Sequence, residues 1–322
     1  MPRNPVSPTA LIICLCIVAI LAAAVVVMLT ARENTPEKGV AESYKNLRKK
    51  LDHESPFPKE LTAEFMRIES CWMANGPVSD EQLRKLASAQ ERISAIEMVQ
   101  SNITSQGLAY LKNKHVKAIK LEQIDLTPEF GPVLSSLHEV TCLNLSDQTA
   151  TDDVFCGLSG MTQLEKLVVR GGSITSRGLE CVARAAPNIT YLDLEMCPSL
   201  DNSIVTPLKK FKHLRSLGIS CTPIDQKGVL KIAREVNSIQ HMALQRLNFT
   251  DVGLQMLPLD KFTHLDLCFT PLTDDCLKTL AKMKRLSKVD LVGCKDITPE
   301  GLKWLKSKKP NLDIAVVSKS KF

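Results

Sequence analysis

From about residue 78 to about residue 317 one phrase recurs every 23 to 26 residues, and it limits what this chain can fold into more than any other feature. The phrase joins an apolar-x-apolar triplet to a downstream I-T-x-x-G-L-x-x-L segment. Ile96-Glu97-Met98 leads into Ile103-Thr104-Ser105-Gln106-Gly107-Leu108, and Leu167-Val168-Val169 into Ile174-Thr175-Ser176-Arg177-Gly178-Leu179. Leu217-Gly218-Ile219, Met242-Ala243-Leu244, Leu265-Asp266-Leu267 and Val289-Asp290-Leu291 lead into segments starting at Ile224, Phe249, Leu272 and Ile297. Weaker triplets lie at Ile119-Lys120-Leu121, Leu143-Asn144-Leu145 and Leu192-Asp193-Leu194, and a half-copy from Val78 to Leu83 opens the series.

Each position has a physical role. Alternation in the triplet turns two side chains inward and one outward, the period of a strand. The Thr or Asp after the Ile supplies an acceptor to the unpaired N–H groups of the helix that follows. The two Leu residues three apart then hold that helix against the strand layer. No single copy can bury its apolar face, so about nine must stack into one continuous core. Aromatics make up only 4% of the chain, which suits thin aliphatic layers. The expected fold is an α/β solenoid with parallel strands.

On the triplets, the I-T-x-x-G-L helix starts and the cysteines just after strands (Cys197, Cys221, Cys294), the chain resembles the leucine-rich-repeat family. The likeness is to the longer, helix-containing subclass, ribonuclease-inhibitor-like and cysteine-containing, and it covers about residues 78 to 317. It implies an arc with strands on the concave face and helices on the convex one, and it implies interaction, not chemistry. The copies at 119–137 and 143–161 lack the G-L at the helix start, so irregularity is expected there.

Ahead of the repeats, residues 1–9 read as a short tail and residues 10–31 as an uncharged apolar run. At about 1.5 Å per residue such a run crosses the hydrocarbon core as a helix. Its length, and the poor small-x-small site at Leu29-Thr30-Ala31, favour an uncleaved signal anchor in a single-pass membrane protein. Arg32, Lys38, Lys45 and Arg48 to Lys50 follow the span and only Arg3 precedes it, which places the repeat domain in the cytoplasm. The N-x-S/T matches at Asn102, Asn144, Asn188 and Asn248 argue weakly against that side. Residues 32–77 read as a polar linker with a helical cap, in which Leu61, Phe65, Ile68 and Trp72 share one helix face. Residues 78–322 complete the repeat domain, with a last edge strand at Leu312, Ile314 and Val316 and a lysine-rich tail.

A formal net charge of +6 over 322 residues gives no reason to expect nucleic acid. Eleven cysteines include no C-x-x-C pair, so most are expected to be free, buried small hydrophobes. No G-x-S-x-G, G-x-x-x-x-G-K-[ST], H-E-x-x-H or G-x-G-x-x-G motif occurs. An enzyme, a cofactor and a small-molecule substrate are therefore not expected.

If a partner binds, the outward strand positions should meet it. Tyr191, Asp193 and Glu195 are expected to form an acidic patch around one aromatic. His241 and His264 should stand side by side, with Asp266 and Asp290 next to them. Two histidines and open solvent make no metal site. The expected function is a membrane-tethered scaffold that binds a protein on its concave face. The alternative is a ubiquitin-ligase substrate receptor, with an F-box-like segment at Ser55 to Leu61 followed by Phe65.

Overall fold

The computed structural model describes residues 71–75, 78–90 and 92–316, all within one compact unit. Strands and helices alternate along it. The strands are β1 (Cys71–Asn75), β2 (Ala95–Val99), β3 (Ala118–Glu122), β4 (Cys142–Ser146), β5 (Lys166–Val168) and β6 (Tyr191–Asp193). They continue as β7 (Ser216–Gly218), β8 (His241–Ala243), β9 (His264–Asp266), β10 (Lys288–Asp290) and β11 (Asp313–Ala315). All eleven form one sheet in sequence order, and every neighbouring pair is parallel.

Between them lie α1 (Asp80–Ala89), α2 (Ser105–Ala109), α3 (Phe130–Ser135), α4 (Asp152–Cys156) and α5 (Ser176–Ala185). Then come α6 (Val205–Leu208), α7 (Gln226–Glu235), α8 (Asp251–Gln255), α9 (Asp275–Lys282) and α10 (Pro299–Lys308). The core is the seam between the two layers. Inward strand residues such as Ile96, Leu143, Leu192, Leu244 and Val289 are fully buried, against the helix residues Leu108, Leu179, Val229 and Leu254. Burying one such side chain is worth about 1.5–3 kcal/mol, so the stack is held by many modest equal layers.

The T-x-x-G signature turns out to be an inter-repeat joint. Thr104, Thr175 and Thr298 cap their own helices by accepting from Gln106 N, Arg177 N and Gly301 N at 3.2, 3.1 and 3.0 Å. Each also donates backward to a carboxylate of the preceding repeat. Asp80 takes the Thr104 N–H and hydroxyl at 2.8 and 2.6 Å, Asp152 those of Thr175 at 2.7 and 2.6 Å, and Asp274 those of Thr298 at 2.8 and 2.6 Å. Asp251 serves Thr273 at 3.1 and 2.8 Å, and the Gln226 amide oxygen serves Thr250 at 3.0 and 2.9 Å. The motif's glycine exists to admit that acceptor. A Cβ at Gly107, Gly178 or Gly301 would collide with the carboxylate of Asp80, Asp152 or Asp274.

Several expectations need correction. Trp72 lies in β1, not on a helix, so a paired strand precedes residue 78 inside the segment read as linker and cap. Eleven strands therefore replace the nine triplets, and β11 supplies the edge strand read at Leu312 to Val316. Most described cysteines are free, but Cys156 and Cys181 form a disulfide between α4 and α5. The copies expected to be irregular carry helices of six residues in α3 and five in α4, no shorter than the five of the regular copies α2 and α8. In the lysine-rich C-terminal segment Lys306 and Lys309 donate to the carbonyls of Leu312 and Met283. Among the described residues no helix is long and apolar enough to cross a membrane. The anchor at 10–31 and the F-box-like segment at Ser55 to Phe65 lie outside the described residues.

Candidate functional site

Register on the outer face of the sheet follows from the strand pairing. One row runs Lys166, Tyr191, Ser216, His241, His264, Lys288, and the next runs Val168, Asp193, Gly218, Ala243, Asp266, Asp290. The structure thus puts the His pair side by side, ring centroids 5.7 Å apart. His264 Nε2 lies 2.9 Å from Asp290 Oδ2, and Ser216 Oγ lies 3.0 Å from His241 Nδ1. Asp266 accepts from the Gln245 amide at 2.5 Å and from Cys268 N at 3.1 Å. Tyr191 lies one strand further along the same row, beside Ser216 of β7.

The acidic patch at Tyr191, Asp193 and Glu195 is not an exposed one. Arg170 closes over it, 2.6 Å from Asp193 and 3.4 Å from Glu195. Asp193 is only 4% exposed and also accepts from Glu195 N at 3.1 Å. The physical reason is the register: residue 170 lies two positions past the outward Val168, so its long side chain leans across the neighbouring strand. Burial pushes the Glu195 carboxyl above its usual range, with Arg170 opposing and Asp193 and Asp266 adding to the rise. Burial likewise pushes Asp266 up, against the N–H of Cys268, with Asp290 adding to it. These carboxylates are ionised at a disadvantage, which is the state an arriving cation would relieve.

At the β2–β3 end the charges are closed off. Lys120 Nζ lies 2.8 Å from both Glu97 and Glu122. Burial alone would lower the Lys120 ammonium, but the two carboxylates together outweigh it and raise it.

Just past the strands runs a feature the sequence reading missed. Gln100, Gln123, Gly171, Met196, Cys221, Arg246, Phe269 and Gly293 hold one repeat position, all at φ between 52° and 75°. The residue after this left-handed bend bonds either back to the preceding repeat or within its own turn. Cys197 and Cys294 donate from sulfur to the carbonyls of Val169 and Leu267, each at 3.1 Å, and Thr222 donates to Ile219 O at 2.6 Å. Cys221 is one position earlier and does not share their role. Burial pushes the Cys197 thiol up to about 12, so it is a structural donor and no nucleophile. Two glycines at this register were the available signal for the bend. Among the described residues no group of three or more His, Cys, Asp or Glu could hold a metal ion.

No protein-family model matches the chain. Among solved structures, a chain of the yeast Rad7 and Elc1 complex, a leucine-rich-repeat structure, superposes with a TM-score of 0.56. It is 16% identical, over 76% of this chain and 69% of that one. The fold is a leucine-rich-repeat solenoid. An internalin C2 from Listeria monocytogenes gives a TM-score of 0.43 at 19% identity, over 68% of this chain and 78% of that one. In the leucine-rich-repeat frame the two outward rows and the left-handed bends belong to one solvent-facing surface, the sheet face. All seven candidate residues lie on it or at its edge, but Asp193 is spent on Arg170.

Proposed function

We propose that this protein is a protein–protein interaction scaffold that holds a partner on its sheet face, tethered to a membrane through residues 10–31. One observation carries the binding reading. Eleven parallel strands stand in register, and from β7 to β10 they present polar and charged side chains such as Ser216, His241, His264, Asp266, Lys288 and Asp290 on the outer face, while the helices seal the opposite side of the core. A continuous rigid face of that kind suits recognition, since binding it requires little ordering of the scaffold. The similarly folded yeast chain was solved in a complex, that of Rad7 and Elc1, which accords with such use. Tyr191, His241, His264, Asp266 and Asp290 are the candidate contacts, with Glu195 at the edge.

A photo-crosslinking residue placed at Tyr191 or His241 of the full chain in cells should yield a discrete protein adduct. The same residue at Lys231, exposed on α7, should not. Adducts from Lys231 alone would overturn the sheet-face reading. The tether is tested separately: the chain should stay with membranes through alkaline carbonate washing, and protease access in sealed vesicles then assigns the side. Release by carbonate would remove the tether and leave the scaffold reading intact.

A further inference from the structure

Four consecutive repeats keep a side chain at the left-handed bend where the repeats on either side use glycine. Met196, Cys221, Arg246 and Phe269 sit at φ 58°, 56°, 57° and 57°, bracketed by Gly171 at 67° and Gly293 at 75°. This backbone region favours glycine, yet six of the eight bends carry a side chain, Gln100 and Gln123 included, and in these four consecutive repeats Met196 and Phe269 add apolar bulk. The side chains are not used inward. Met196 is 52% and Phe269 46% exposed, among the most exposed large hydrophobic residues described. Phe269 is flanked on both sides: the Arg246 guanidinium carbon lies 4.5 Å from its ring centroid, and a Cβ at Gly293 would strike the ring. With strands about 4.8 Å apart, the ledge from Met196 to Phe269 runs for about 14 Å, the reach of about four residues of extended chain.

Behind the ledge the floor is low and acidic. Gly218 and Ala243 occupy the outward row of β7 and β8, between Asp193 on β6 and Asp266 on β9. Asp266 is held by two neutral donors, Gln245 and Cys268 N, and Glu195 shares Arg170 with Asp193. Across that floor Glu195 and Asp266 feel each other's charge.

We propose that this ledge, with Glu195 and Asp266 behind it, receives an extended segment of a partner protein that carries a bulky apolar side chain next to a lysine or arginine. The apolar group packs on Phe269 and the cation meets Asp266, whose partners are both neutral; the extended backbone runs on towards Met196, past Glu195, which already faces Arg170 and Arg246. Exposed Phe269 and Asp266 with its two neutral donors select that chemistry; an acidic segment, which would pair with the exposed Arg246 on the ledge, is the rival outcome of the test. The proposal rests on the sheet-face reading above and narrows it to one stretch.

The test selects a displayed library of random twelve-residue peptides on the full chain. Three variants are compared: Met196→Gly with Phe269→Gly, Asp266→Asn, and Tyr191→Ala with His241→Ala. Glycine suits the bend, so the first variant folds at least as well as the parent and its thermal transition confirms this. Enriched peptides should pair Lys or Arg with a bulky apolar residue, and should lose about ten-fold or more in affinity on the first two variants. Acidic consensus peptides, or peptides sensitive only to the Tyr191 and His241 changes, overturn the ledge and spare the sheet-face reading. Peptides indifferent to all three variants, or no enrichment at all, overturn both. A dimer by light scattering that the glycine variant dissolves makes the ledge a self-interface and also overturns the proposal.

Discussion

At β2 and β3 the sheet face satisfies its own charges, with Lys120 at 2.8 Å from both Glu97 and Glu122. At β9 the Asp266 carboxylate rests on an amide and a backbone N–H, next to an exposed Phe269. Parallel pairing and inward apolar residues recur in both places, although β2 and β3 run for five residues and β9 for three. What differs is which residue occupies three outward positions per repeat, positions the core does not constrain. A repeat fold can therefore close one stretch of its surface and leave another open without altering its architecture.

Five changes break or sharpen that contrast, in falling order of effect. Lys120→Met strips the counter-ion from Glu97, whose side chain is 11% exposed, and should cost about 3 kcal/mol in urea unfolding. Adding Glu97→Leu should recover most of that loss; if it does not, the closed end is not closed by charge. Gly178→Ala drives a methyl group into the Asp152 carboxylate that binds Thr175 and the Gly178 N–H, and should cost about 2 kcal/mol. Gly171→Ala, with nothing within 4 Å but φ at +67°, should cost only about 1 kcal/mol. Equal losses at the two glycines would show that the inter-repeat joint contributes nothing beyond backbone preference.

Asp266→Asn should stabilise the fold modestly at pH 7, the reverse in sign of the change at Lys120. The sign follows from linkage. Burial raises the folded pKa of Asp266 above its unfolded value, so the folded chain holds more protons between the two. Native stability therefore falls as pH rises through that window, which begins near the unfolded carboxyl value of about 4, and the Asn variant escapes the fall. Unfolding curves of both proteins should converge as pH drops through the window; a gap independent of pH rejects the titration as its cause. Smallest of all, Phe269→Gly should leave stability unchanged or raise it by up to about 1 kcal/mol, since glycine suits φ +57°. A large loss there would make the aromatic ring a part of the fold and not of its surface.

Much of the architecture was legible because the core repeats its demands at every turn of the solenoid. Ile96, Met98, Leu217 and Ile219 alternate inward because a strand allows nothing else, and Thr104 or Thr298 caps a helix by local chemistry. The His241 and His264 adjacency was legible for the same reason: equivalent positions of neighbouring repeats pair in register. Trp72 was misread because i, i+4 spacing over a few residues also arises in a strand flanked by other segments. The Cys156 to Cys181 bridge was missed because the two lie one repeat apart, on helices whose approach no local spacing reports.

The sequence by itself determined the repeat, the parallel strand order and the inward faces, because short-range periodicity and burial leave one consistent solution. Only the tertiary structure decided the surface. Arg170 neutralises Asp193 from 23 residues away, and Asp152 reaches into the space left by Gly178 from the preceding repeat. Phe269 leans over Gly293, 24 positions on. Such contacts join residues distant in the chain through the directions their side chains take, and no pattern within a single repeat encodes those directions.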